Sequence, residues 1–169
     1  MDSVFFYRNN IKAASRSGAL QKIKIALQPN ISVAGWPTET GSNALAGFKA
    51  LENATVAEHA VKAGAQLIGY TRMSEFGFGL KNSMAGSVLQ KKAADVELVL
   101  DLAGEARLAA LRAGVCGFKP SYGLVSRFGL AGLIPSMEAI SILSMNIKNI
   151  RGILQAVAGA DERDSSMPE

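Results

Sequence analysis

Cysteine and histidine are almost missing from this sequence: Cys116 and His59 are single representatives among 169 residues. One cysteine excludes an internal disulfide framework and fits a reducing compartment. It lies in the apolar stretch Ala113-Gly114-Val115-Cys116-Gly117-Phe118, where a buried, inert thiol is expected. His59 stands beside Glu58 in a helical pattern, without the companions that a metal centre or a histidine-based triad needs, so no metal or cofactor is expected. Charge is also scarce, at 19% of residues, below the usual share for a soluble domain. The net charge of +4 is scattered, with no basic run and no stacking-aromatic motif, and nucleic acid is not an expected partner. No apolar run is long enough to span a bilayer as a helix. What is abundant is hydrophobic residues, 49%, enough to give a chain of this length one α/β domain with a real core. With so little charge to solvate the outside, a partner covering part of the surface is a natural expectation.

Acid is missing from one further place. Between Asp2 and Glu39 there is none, while Arg8, Lys12, Arg16, Lys22 and Lys24 accumulate. Arg8, Lys12 and Arg16 recur every four residues, the spacing of one helix face, and Phe5, Phe6, Ile11 and Leu20 supply apolar surface. Residues 1–22 are therefore expected to be a basic amphipathic segment, similar to a mitochondrial presequence or else a mature helix docked on something acidic. Residues 23–169 are expected to be the folded domain.

Within that domain the alternation Ile23, Ile25, Leu27 predicts a half-buried strand, followed by a loop punctuated at Pro29-Asn30 and Gly35-Trp36-Pro37. Thr55 with Glu58 reads as a capping box for a helix over Val56–Ala63 that ends at Gly64, and Gln66–Tyr70 as a short buried strand. Helix, glycine, strand is the grammar of an α/β layer. Phe76–Ser87 reads as loop, Leu89–Leu102 as an amphipathic helix, and Glu105–Ala113 as more helix. Pro120–Ile134 is punctuated by glycines, and Asn149–Ala158 forms a last helix stopped at Gly159.

Three blocks taken in order carry a family likeness. Thr55-Val56-Ala57-Glu58, Ala63-Gly64-Ala65-Gln66-Leu67-Ile68-Gly69 and Thr71-Arg72-Met73-Ser74-Glu75-Phe76 form the first. Gly117-Phe118-Lys119-Pro120-Ser121-Tyr122-Gly123-Leu124-Val125-Ser126-Arg127-Phe128-Gly129-Leu130 is the second, and Ala158-Gly159-Ala160-Asp161-Glu162-Arg163-Asp164-Ser165 the third. Together they resemble the amidase-signature family over residues 23–165, nearest to the A subunits of glutamyl-tRNA amidotransferases. The resemblance implies an α/β fold, a mixed β-sheet flanked by helices, of which this chain carries a part and lacks the family's C-terminal part.

The resemblance also implies a chemistry: a lysine as ultimate base, a serine relaying the proton, and a second serine attacking the amide carbon. The reason is nucleophile activation, since a hydroxyl attacks poorly until a base takes its proton, with backbone N–H groups holding the oxyanion. In the family's "A-I-K-D-N-I" this sequence has Ala26-Leu27-Gln28-Pro29-Asn30-Ile31, placing Gln28 at the lysine position. In "D-T-G-G-S-I-R" it has Asp101-Leu102-Ala103-Gly104-Glu105-Ala106-Arg107, placing Glu105 at the nucleophile. The relay "G-G-S-S-G-G-S" is either deleted between Phe76 and Asp101, the preferred reading, or represented by Ser83. Glu105 is expected to pair with Arg107 or to lie solvated on a helix face. No catalytic set is expected, and Gln28 and Glu105 stand as degenerate family positions. The expectation is a non-catalytic structural or interaction subunit of a larger protein assembly, with a hetero-complex preferred to a homo-oligomer and the mitochondrion preferred to the cytoplasm. The alternatives are a divergent amide hydrolase or amidotransferase component active through a partner, and a ligand sensor near Asp101 and Arg107.

Overall fold

The computed structural model describes residues 4–14, 17–81 and 83–167. Its elements are β1 (Phe5–Ile11), β2 (Lys24–Leu27), α1 (Thr55–Lys62), β3 (Gln66–Thr71), α2 (Ser87–Gln90), β4 (Val96–Asp101), α3 (Glu105–Ala113), β5 (Cys116–Phe118), β6 (Ala139–Ser144) and α4 (Ile147–Val157). The strands make one sheet in the order β1-β3-β2-β4-β6-β5. β2 runs parallel to β3 and β4, while β1, β5 and β6 enter antiparallel. Parallel neighbours at the centre require crossovers, and α1 supplies the one between β2 and β3.

Both faces of the sheet are covered, because successive side chains of a strand point to opposite sides. Ile25, Leu27, Val96, Leu98, Ile140 and Ile142 face a core closed by α1, α4 and Trp36. Ala26, Val99 and Leu143 face the opposite core, built with Val88 and Leu89 of α2 and the alanines of α3. Trp36 packs edge-on against Tyr70 at 5.0 Å between ring centroids and against Tyr7 of β1 at 5.5 Å.

Four expectations are corrected. The start of the chain is a strand where a helix was expected: Arg8 and Lys12 lie on or just after β1, and Arg16 is outside the described residues. Consecutive Phe5, Phe6 and Tyr7 suit a pleated surface, and the edge of β3 offers them a ladder. Gly69 makes that pairing possible, since a Cβ there would stand 2.3 Å from the Tyr7 carbonyl oxygen. The helix expected over Leu89–Leu102 is instead the short α2 and the strand β4, whose six residues are all buried. An apolar run of this kind reads equally as buried strand or helix, and only the neighbours β2 and β6 decide. The capping box does not form: Ala54 is the N-cap of α1, and the Thr55 hydroxyl donates to Asp161 instead. Cys116 is exposed, because β5 lies at the sheet's edge. β6 is entirely buried and lies in a stretch to which the sequence reading assigned no element.

Candidate functional site

The turn from β4 into α3 holds the first of the two singled-out residues. Asp101, fully buried at the end of β4, accepts from the N–H groups of Gly104 (2.8 Å) and Arg107 (3.2 Å). It also accepts two bonds from the Arg107 guanidinium, Nε at 2.9 Å and Nη2 at 3.1 Å. The Lys119 ammonium stands 3.8 Å away and donates to the carbonyls of Leu102 and Met137. Gly104 turns the chain with φ +117°, a conformation a side chain rarely adopts.

Glu105 follows, the first residue of α3, and is 2% exposed. Its Oε2 accepts from the N–H groups of Leu102 (3.1 Å) and Ala103 (2.7 Å), so the carboxylate folds back onto the turn it ends. This corrects the expectation of an ion pair with Arg107 or a solvated carboxylate. Arg107 belongs to Asp101, and the Leu102 and Ala103 amides of the turn before the helix's N-cap take the Glu105 carboxylate instead.

Gln28, the second residue, lies just beyond β2 and is 4% exposed. Its N–H donates to the Leu98 carbonyl at 3.0 Å, continuing the ladder, and its side-chain oxygen accepts from Leu100 N–H at 2.9 Å. Pro29 has no N–H with which to extend the pairing, and the Gln28 amide group supplies the next acceptor from its side chain. The fold thus brings Gln28 and Glu105 to the same strand exit, on Leu100 and on Leu102–Ala103, each bonded to backbone. Ser83 accepts from Ala85 N–H within the turn before α2. A cavity of about 230 Å³ opens beside Pro29, lined among others by Phe6, Ser42, Asn43 and Arg72.

One group escaped the sequence reading. Glu97, the second residue of β4, is wholly buried; one oxygen accepts from Gly86 N–H at 2.6 Å, and the other makes no hydrogen bond of ordinary geometry. Burial pushes its carboxyl up to about 7, offset only in part by the Thr71 hydroxyl and the Gly86 amide. A carboxylate flanked by Val96, Leu98 and Val99 was the available signal, but a helix assignment put it on a wet face.

The family-like blocks meet elsewhere. Asp161 accepts from the hydroxyls of Thr55 and Ser126, and Arg163 donates to Thr55 and Glu58. Asp164 receives the Arg127 N–H at 2.6 Å. Burial would raise the Asp161 carboxyl, but these donors outweigh it and hold the group below the usual carboxylate range. The blocks from α1, the glycine-punctuated segment and the C-terminal end are one clamp.

A mixed six-stranded sheet with helices on both faces defines an α/β protein. The Amidase family model matches residues 7–90 and 93–169, and the chain belongs to this family. It is 34% identical to the A subunit of the glutamyl-tRNA(Gln) amidotransferase of Halobacterium salinarum over 97% of this chain and 44% of the relative. To the mitochondrial glutamyl-tRNA(Gln) amidotransferase A subunit of Fusarium vanettenii it is 32% identical, over 86% of this chain and 33% of the relative. The crystal structure of the glutamyl-tRNA(Gln) amidotransferase A subunit from Thermotoga maritima superposes with a TM-score of 0.86 at 24% identity, covering 98% of this chain and 42% of that one. The chain spans about a third to under half of the length of these relatives.

Proposed function

We propose that this chain is a non-catalytic member of the Amidase family that serves as an interaction subunit of a larger protein assembly. The observation that carries the reading is what stands at the two positions the resemblance assigns to base and nucleophile. Gln28 does not accept a proton near neutral pH, and Glu105 has its carboxylate tied to Leu102 and Ala103. Neither residue supplies an activated hydroxyl.

An assembly role draws support from the surface. β5 pairs with β6 alone among the described strands, and the exposed apolar side chains Phe118, Tyr122, Leu133, Ile134 and Met137 gather toward that end. Tyr122 is bonded to the Pro135 carbonyl and Lys119 to that of Met137, which ties the segment to the strand. A sheet edge with apolar neighbours is a natural docking place for another polypeptide. A protein partner from a different gene is preferred to a second copy. We place the assembly in the mitochondrion, a reading supported by the mitochondrial relative.

Native mass spectrometry of the endogenous protein tests the reading: a mass well above that of the chain alone is expected, and a stable lone monomer overturns it. The competing reading, an amide hydrolase or amidotransferase component working through a partner, expects turnover of simple amides or glutamine that vanishes in Glu105→Ala. Our reading expects none in either protein.

A further inference from the structure

Cations that lie far apart in the sequence meet at one end of the sheet, where β2 and β4 begin and β6 stops. Lys24 opens β2; its N–H donates to the Asp95 carboxylate at 2.8 Å, and its carbonyl accepts from Asp95 N–H at 2.9 Å. The Ser144 hydroxyl, at the close of β6, donates to the Asp95 carbonyl at 2.7 Å, so three strand ends share one turn. Lys92 lines a recess beside that turn together with Asp95, Met145 and Asn146. Lys148 and Arg151, three residues apart at the start of α4, are neighbours on the helix surface. Lys22 belongs to the turn that leads into β2, and Leu20 of that turn lies against Gly152 of α4. All five cations are exposed. Lys22 and Lys92 also hold positive φ, 70° and 53°, so lysine occupies two positions that conformation alone would give to glycine or asparagine. Apolar side chains stand in the same place: Met145 is 58% exposed and Ile147 62%, on either side of the α4 N-cap Asn146.

We infer that this end of the molecule docks on an anionic lipid surface, as a peripheral contact separate from the surface near β5. Phosphate headgroups are the electrostatic complement of the five cations, and Met145 and Ile147 match the apolar layer beneath them. Lysine and arginine stems lie along that layer while their charged ends stay among the phosphates. Nucleic acid is the poorer complement: among the described residues, those lining the recess carry no aromatic ring on which a base could stack. It would also leave the two apolar side chains in water.

The test mixes the full chain with vesicles of phosphatidylcholine alone or of phosphatidylcholine with phosphatidylserine, and reads the bound fraction by sedimentation. Binding is expected to the mixed vesicles and not to phosphatidylcholine alone. Lys92→Glu/Lys148→Glu should weaken it at least about tenfold, since each cation near an anionic surface contributes about fivefold. Lys49→Glu/Arg72→Glu makes the same change in net charge away from this face, Arg72 following the far end of β3, and should weaken binding no more than about threefold. Met145→Ser/Ile147→Ser keeps every cation, yet should bind more weakly and release completely in salt that leaves the wild type partly bound. Should the Lys92→Glu/Lys148→Glu protein fail to fold by circular dichroism, Lys148→Glu alone carries the charge test. Indifference to phosphatidylserine, or equal weakening by the two charge pairs, overturns the inference. So does single-stranded RNA or poly-L-glutamate bound as tightly as the vesicles, with Met145→Ser/Ile147→Ser binding vesicles like the wild type. No partner protein enters these measurements, so they stand apart from the assembly reading.

Discussion

Glu97 shows what a single residue contributes against its neighbours. In the folded chain its carboxyl is held near 7, against 4.5 for an ordinary glutamate, because ionisation would place a charge inside the sheet's second core. The folded state therefore binds more protons than the unfolded state between these values, and stability falls as pH rises through that window. At about 1.4 kcal/mol per pH unit, the loss between pH 5 and pH 8 is on the order of 3 kcal/mol. Glu97→Gln removes the titration: its unfolding free energy should vary less across this range, leaving it the more stable protein at pH 8. Denaturant melts at pH 5 and pH 8 check this; an equal pH slope in the two proteins refutes it. Asp161 has the opposite sign. Its depressed carboxyl adds stability that is present above the ordinary aspartate range and is lost only as the solution becomes strongly acidic.

At the scale of elements, β1 is the decisive case. It reaches β3 by an irregular antiparallel pairing in which Arg8 stands opposite Gly69, whose φ of +141° and missing Cβ let the two backbones approach. Gly69→Ala drives a methyl group toward the Tyr7 carbonyl, so β1 should separate from β3 while the rest of the sheet persists. Hydrogen exchange checks this: protection of the β1 amides should drop at least tenfold, with β4 and β6 amides slowed as in the wild type. A cost of about 1–3 kcal/mol is expected, the usual range for overpacking. The Tyr7–Trp36 contact would loosen with it, giving a tryptophan fluorescence change as a second readout.

The whole molecule has two edge strands of unequal length. β1 runs for seven residues and carries Arg8 over the Phe5 ring, whereas β5 is a three-residue strand with all its residues exposed. Met137 is 51% exposed and Leu133 45%, so changing both to lysine removes little buried surface. The double variant should match the wild type in thermal stability to within about 0.5 kcal/mol. It should nevertheless fail to enter the assembly on native mass measurement. A double variant that assembles normally would move the docking surface away from this end of the sheet. Among the described residues, no helix is long and apolar enough to cross a membrane.

What the sequence determined on its own were features written in adjacent or regularly spaced residues. These are β2 from its alternation, α1 ending at Gly64, α3, most of α4, and the family from its ordered blocks. The replaced positions Gln28 and Glu105 were also legible, because a residue's identity needs no coordinates. The tertiary structure alone decided the fate of segments whose local pattern fits two conformations. Phe5–Ile11 became a strand because β3 offered an edge, and Val96–Asp101 because β2 and β6 flank it on both sides. It also decided the electrostatics: Arg107 pairs with Asp101, Glu105 turns to backbone amides, and Glu97 is buried without a cation. Charge pairing and burial depend on distances between groups, and the sequence lists those groups without setting the distances.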